Sequence, residues 1–106
     1  MTKQKQLILK AKSRVLKALA HPTRLWIVEQ LAGGEQCVCT FVDVINADFS
    51  TISKHLSVLK QAGLVEHDKR GKQVFYRLKV PCVNTFLGCI EAVIKSQERE
   101  RMYKQG

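Results

Sequence analysis

Apolar residues recur at steps of three and four positions in five segments of the chain. This spacing places apolar side chains on one face of a helix, and it is typical of amphipathic α-helices. Prolines and glycines separate the segments and mark where helices begin or end. Helices are predicted over residues 4–19, from Pro22 or Thr23 to the glycines at 33 and 34, from about Cys37 to Ile45, over residues 50–61, and from beyond Pro81 into the charged tail.

The apolar period changes to two after Gly63. Val65 and His67 alternate with polar neighbours, and a second run of alternating residues ends at Leu78. The segment KRGK between the runs contains Gly71, which suits a tight turn. The chain is therefore predicted to be mainly α-helical with a small β-hairpin, in the order α-α-α-α-β-β-α.

Length and charge narrow the class of protein. A chain of 106 residues fits one domain over positions 1–106, and a domain this small gains from a second subunit that covers leftover apolar surface. Eighteen Lys and Arg against nine Asp and Glu give a net charge of +9, which favours a polyanionic partner such as nucleic acid. No segment approaches the roughly 20 apolar residues of a membrane span, and the N-terminus lacks a signal peptide's apolar core, so we expect a cytoplasmic protein.

The third and fourth helices and the basic hairpin have the order of a winged helix-turn-helix. In that motif the second helix enters the major groove, and the hairpin lies over backbone or minor groove and makes salt-sensitive contacts. Each polar residue here could singly be a solvated surface position, and their order along the chain is what favours DNA. The expected DNA-binding residues are Ser50, Thr51, Ser53, Lys54 and His55 in the helix, and Lys69, Arg70, Lys72 and Gln73 in the hairpin.

Cys37 and Cys39 lie at the predicted start of the third helix. Thiolates prefer soft ions, and the unpaired amides of a helix start stabilise the thiolate form. The alternative is that both are idle or buried apolar residues. Residues two apart in a regular helix point to nearly opposite sides, so both sulfurs could hold one ion only where the backbone is extended, frayed or distorted. We therefore expect ion binding to distort the first turn of this helix.

The last helix carries Cys82 and Cys89, seven residues apart. Two helical turns separate them by about 10 Å, which is too far for one ion or for a disulfide between them. They share a face with Phe86, as packing at a dimer seam would require. At most one of them could complete a site at Cys37 and Cys39, in the same or the partner subunit. The histidines at 21, 55 and 67 form no convincing ligand cluster.

Three segments resemble the ArsR/SmtB family of bacterial metal-sensing repressors, namely ALAHPTRLWIVEQL, STISKHLSVLKQAGLV and KRGKQVFYRL. The resemblance implies a winged helix-turn-helix homodimer, held together by its first and last helices, that blocks a promoter until an inducer binds. The apolar stripes of those two helices supply the expected interface, namely Leu7, Ala11, Val15, Val83, Phe86, Leu87, Ile90 and Ile94.

The segment EQCVCTF is similar to the arsenic-type signature of that family, Glu-Leu-Cys-Val-Cys-Asp-Leu. The resemblance implies As(III) or Sb(III) as the inducer, with Cd(II), Pb(II) or Zn(II) as further thiophilic candidates. A third cysteine often follows the second by three residues in this pattern, and here that position is Val42. Many relatives bind zinc on the last helix through His and acidic residues, and PCVNTFLGCIEAVIKSQERE contains no His.

Three other functions compete with a metalloid-responsive repressor. The cysteines could form a redox or persulfide switch on the same DNA-binding fold, which reductant sensitivity would reveal. A thiol oxidoreductase is disfavoured because the sequence offers no paired nucleophile and base and no βαβ setting. A constitutive architectural protein with inert cysteines would keep the same DNA affinity in the presence of soft ions and oxidants.

Overall fold

The helices and the hairpin occur in the predicted order, with one additional strand. The computed structural model describes residues 1–105, and within them the mainly helical winged helix-turn-helix is confirmed. The elements are α1 Lys3–Leu19, α2 Pro22–Leu31, β1 Gln36–Cys37, α3 Val38–Ile45, α4 Phe49–Gln61, β2 Val65–Arg70, β3 Gln73–Leu78 and α5 Val83–Gln105.

Local capping contacts determine where α2 and α4 begin. Pro22 occupies the first position of α2, and the Nδ1 atom of His21 accepts a hydrogen bond from the Thr23 amide at 3.1 Å. Asp48 caps α4, because its carboxylate accepts a hydrogen bond from the Thr51 amide at 2.8 Å. These contacts satisfy amides that have no partner within the helix itself, so both helices begin close to their predicted positions.

The wing is a three-stranded antiparallel sheet in the order β1-β3-β2. Gly71, with φ of 63°, turns the chain between β2 and β3, as predicted. The unpredicted strand β1 pairs with β3 and places Cys37 opposite Phe75. The segment that leads into α3 is therefore part of the wing sheet.

The core lies between α2, α3, α4 and the base of the wing. Three side chains are completely buried there, namely Phe41 of α3, Ile27 of α2 and Leu56 of α4. Val65 at the start of β2 is also buried and belongs to the same core. The Trp26 ring packs edge-on against Phe41, with centroids 5.7 Å apart. Because these side chains interdigitate, α4 is held in a defined orientation relative to the wing.

The terminal helices divide the expected interface residues into two groups. Val83 and Leu87 are only 8% and 7% exposed within one protomer, so they belong to its core. Val15 is half-buried against the same core. The remaining five are exposed, namely Leu7, Ala11, Phe86, Ile90 and Ile94. In the part of the chain described, no helix is long and apolar enough to cross a membrane.

Candidate DNA interface and thiol site

The outer face of α4 presents small polar and basic side chains. Ile52, Leu56 and Leu59 turn inward, which leaves Ser50, Thr51 and Lys54 exposed and Ser53 half-buried on the other side. The Ser50 hydroxyl donates a hydrogen bond to the capping Asp48 carboxylate at 3.0 Å. The first turn of α4 is thus well ordered and carries short polar groups that can approach base edges.

His55 lies on a different side of α4 from the one expected of a DNA-reading residue. Its Nδ1 atom accepts a hydrogen bond from Arg24 Nε at 3.1 Å, and its ring lies 4.4 Å from that of His21. Burial lowers the pKa of His55, and the positive charges of His21 and Arg24 lower it further. A neutral imidazole can keep accepting from Arg24, so His55 connects α4 to α2 instead of pointing outward.

Arg70 and Arg77 of the wing both have their charges paired with carboxylates. Arg70 donates to both carboxylate oxygens of Glu35, at 2.6 and 3.0 Å, and its guanidinium lies 4.7 Å from the centre of the Phe75 ring. Lys69, Lys72 and Gln73 are exposed at the tip. Arg70, which was expected to contact DNA, is thus held in an ion pair in this structure. Sequence reasoning missed Glu35 because it lies 35 positions away from Arg70.

Cys37 and Cys39 are joined by a disulfide in the structure, and the Cα atoms of the two residues are 5.2 Å apart. Cys37 is the N-cap of α3, with extended backbone at φ −76° and ψ 144°, and its sulfur accepts a hydrogen bond from the Cys39 amide at 3.3 Å. Because Cys37 belongs to β1 and lies outside the helix, the sulfurs meet while a regular α3 begins at Val38. The expected distortion of the first turn is not needed to bring them together.

A cavity of about 240 Å³ lies beside the thiol pair, between α3, the start of α4 and the wing. Val38, Val42, Phe49 and Val74 form its apolar part, and Asp43, Lys72 and Gln73 also line it. Within residues 1–105 no three Cys, His, Asp or Glu side chains gather as a metal site, so one protomer supplies only two sulfurs. Cys82 borders a separate groove against α1, and Cys89 is exposed on α5.

Residues 21–67, from the start of α2 into β2, match the family model "Bacterial regulatory protein, arsR family". The structure also resembles a homodimeric winged helix-turn-helix DNA-binding domain from Mycobacterium bovis, with a TM-score of 0.80 and 30% identity over 94% of this chain and 93% of that chain. The chain belongs to the ArsR family. The family resemblance seen in the sequence is thereby confirmed, and the family is one of transcriptional regulators, not of enzymes.

Two relatives in the family carry names that state a function. The HTH-type transcriptional repressor SmtB of Mycobacterium tuberculosis is 42% identical over 71 residues, which are 67% of this chain and 53% of the relative. The arsenical resistance operon repressor of Escherichia coli is 42% identical over 66 residues, 61% of this chain and 56% of the relative. The chain thus spans about half the length of each.

Proposed function

We propose that residues 1–106 act as a single repressor domain that binds operator DNA as a homodimer in the cytoplasm. The α4 residues Ser50, Thr51, Ser53 and Lys54 would enter the major groove, and Lys69, Lys72 and Gln73 of the wing would contact the backbone. The exposed apolar side chains of α1 and α5 would form the dimer interface. The net charge of +9 and membership of the ArsR family support this proposal.

The proposed effector is a thiophilic ion held by Cys37 and Cys39. As(III) or Sb(III) is favoured, followed by Cd(II), Pb(II) and Zn(II), because soft thiolates select soft acceptors. The observation that supports the proposal is the juxtaposition of Cys37 and Cys39 where β1 of the wing meets α3, which places two thiolates side by side once the disulfide is reduced. A third thiolate, if one is used, would come from Cys82 or Cys89 of the partner subunit.

The direct test is a titration of the reduced dimer bound to a fluorescent operator fragment. Arsenite, antimonite and Cd(II) are each added, with Mg(II) as a hard-ion control, and fluorescence anisotropy reports DNA binding. Release should correspond to a coupling of about 1 to 3 kcal/mol, or roughly 5- to 150-fold in affinity. An affinity that none of the thiophilic ions changes would refute the effector assignment.

A redox or persulfide switch is the second candidate function. The Cα separation of 5.2 Å falls within the range of about 4.4 to 6.8 Å that disulfides span, so the same two residues can be oxidised as a pair. A redox switch releases DNA when oxidant alone is added and recovers when reductant is restored. An ion sensor responds to arsenite while reductant is present throughout, so the two functions are separable.

The charge pairing of the wing predicts unequal effects for two basic residues. Lys72→Ala should reduce the slope of log affinity against log salt concentration by about 0.9, the effect of losing one phosphate contact. Arg70→Ala should change this slope less, because Glu35 already pairs with that guanidinium. Glu35→Gln, the matched control, should leave Arg70 paired only with Asp68, at 3.6 Å, and steepen the slope. Anisotropy titrations at several salt concentrations measure all three, and equal losses for Lys72→Ala and Arg70→Ala would show that Arg70 reaches DNA.

A further inference from the structure

The excess positive charge of the chain is concentrated in its first helix. Six of the eighteen Lys and Arg side chains lie in α1, and α1 contains no Asp or Glu. All nine acidic residues lie elsewhere in the chain, where they offset most of the remaining cations. Six of the nine net positive charges therefore belong to this one helix.

The parts of the chain proposed to bind DNA carry little of this excess. Apart from His55, the basic residues of α4 are Lys54 and Lys60. In the wing two guanidinium groups face three carboxylates, because Arg70 and Arg77 pair with the side chains of Glu35, Glu66 and Asp68. Much of the positive charge of the wing is thus neutralised within the protomer, whereas that of α1 is not.

Four of the six α1 cations form one stripe along the helix. With about 100° between successive residues, these four fall within an arc of about 60° and extend over about 21 Å. All four are exposed. Every ion pair among residues 1–105 involves Arg70 or Arg77, so the protomer leaves the charge of the stripe uncompensated. The members of this basic stripe are Lys3, Lys10, Arg14 and Lys17.

The basic stripe lies on the side of α1 that faces away from α5. Val15, Leu16 and Leu19 line the groove between α1 and α5, and each lies about 100° or more around the helix from every member of the stripe. The C-terminal end of α1 lies beside α4, because Arg24 donates to the Ala18 carbonyl at 3.4 Å and to His55 of α4 at 3.1 Å. The stripe therefore begins next to α4 and runs away from it.

We infer that the basic stripe of α1 is a third DNA-binding surface, which contacts the phosphate backbone between the two half-sites of the operator. The inference rests on the proposed function. In the proposed dimer, α1 lies at the seam between the protomers with one α4 helix on each side, so the duplex that both α4 helices read passes the two stripes. Phosphates along one strand rise by about 3.4 Å each, so a stripe of about 21 Å spans roughly six of them.

The chemistry of the stripe favours phosphate over base edges. Long Lys and Arg side chains donate charge-assisted hydrogen bonds to phosphate oxygens. Each phosphate that they neutralise releases condensed counterions, which makes the affinity dependent on salt. Such contacts carry no sequence information, so the stripe supplies affinity and a fast encounter with DNA while α4 supplies the base contacts.

The test compares matched double variants of α1 in the full chain. Lys10→Gln with Arg14→Gln removes two charges from the stripe, and Lys5→Gln with Lys12→Gln removes two charges from roughly the opposite side of the same helix. Gln has nearly the helix propensity of Lys and Arg, and light scattering and thermal unfolding check that each variant remains a folded dimer. Lys3→Gln with Lys17→Gln is a second stripe variant. Anisotropy titrations at several salt concentrations give the slope of log affinity against log salt concentration.

The stripe variants should lose salt dependence and the control should keep it. The slope should fall by about 0.9 for each phosphate contact removed, or by about 3.6 for a dimer that loses four contacts. Operator and random-sequence duplexes should weaken by the same factor, because phosphate contacts do not discriminate sequence. Equal losses in the stripe and control variants would show that only total charge matters, and a stripe variant with the parent slope would place α1 away from DNA. Either result overturns the inference.

Operator fragments with neutral methylphosphonate linkages between the half-sites test the position of the contact. These fragments should bind the parent chain at least about tenfold more weakly than the natural backbone, and they should cost the stripe variants much less, because the contact is already lost. Equal losses for parent and stripe variants would overturn the position. A stripe needed for binding to anionic phosphatidylglycerol vesicles but not to DNA would assign it to lipid surfaces and overturn the inference.

Failure of the inference is distinguishable from failure of the proposed function. Operator binding that depends on α4 and the wing but is unchanged in the stripe variants overturns the role of α1 and leaves the repressor intact. A parent chain that binds no operator DNA overturns both the proposed function and the inference.

Discussion

A chain carrying Cys37→Ser and Cys39→Ser is expected to bind operator DNA as tightly as the parent chain and to lose all release by thiophilic ions. DNA affinity should be unchanged because neither sulfur lies on the outer face of α4, and serine preserves the size of both side chains. Ion response should disappear because a serine hydroxyl does not replace a thiolate for a soft ion. Anisotropy titrations under reducing conditions measure both properties on one sample.

The expected loss follows from the position of the pair between the two proposed DNA-binding parts, α4 and the wing. Cys37 belongs to β1, which pairs with β3 of the wing, and Cys39 lies in the first turn of α3, the helix that supports α4. An ion held by both sulfurs would set the angle between the wing and α3. Release requires that the ion bind the free form more tightly, and by linkage operator DNA should weaken ion binding by the same factor.

The matched control is Cys82→Ser with Cys89→Ser, which makes the same chemical change on α5. This control should keep its release by thiophilic ions, and a loss of release would show that α5 supplies a third thiolate. Each single variant, Cys37→Ser or Cys39→Ser, should lose release as the double variant does, because one remaining thiolate cannot hold the ion. Normal release in the Cys37→Ser, Cys39→Ser chain would defeat the mechanism and move the sensing site to α5.

Ile90→Asp with Ile94→Asp is expected to convert the dimer into folded monomers with about 100- to 10,000-fold weaker operator binding. Ile90 and Ile94 are 41% and 49% exposed in the protomer, so the carboxylates are solvated in a monomer and buried only on association. In a dimer, binding of one subunit to its half-site raises the effective concentration of the other subunit at the second half-site. Monomers lose this gain in affinity. Light scattering coupled to chromatography gives the mass, and anisotropy gives the affinity.

Two other substitutions on α5 separate dimerisation from folding. Ser96→Asp adds a carboxylate to an exposed polar position about 200° around the helix from Ile94, and it should leave both mass and affinity unchanged. Leu87→Asp places a charge at a position only 7% exposed in the protomer, so it should lower thermal stability and unfold the domain. A tight dimer in the Ile90→Asp, Ile94→Asp chain would show that these residues lie outside the interface.

The secondary structure was predictable because its signals are local. The apolar spacing of α4, the Asp48 cap and the turn glycine Gly71 act within a few residues of where they stand in the chain. The same is true of Pro22 at the start of α2. The winged helix-turn-helix, the polar outer face of α4 and the cysteine pair as a candidate ligand site all follow from patterns of this kind.

The contacts that shape the site depend on residues far apart in sequence, and only the tertiary structure decided them. Arg70 and Glu35, which form an ion pair, are 35 positions apart in the sequence, and His55 and Arg24, which share a hydrogen bond, are 31 positions apart. Hydrophobic periodicity does not indicate contacts between residues so far apart in sequence. Leu87 lies on the same apolar stripe as Ile90, and only the way α5 packs on the core buries one and exposes the other. The two sulfurs lie together because residues 36–37 pair with β3 as an edge strand, which keeps the backbone of Cys37 extended. A strand of two residues is too short to show an alternating pattern in the sequence. The pairing that stabilises β1 comes from β3, almost forty residues further along the chain.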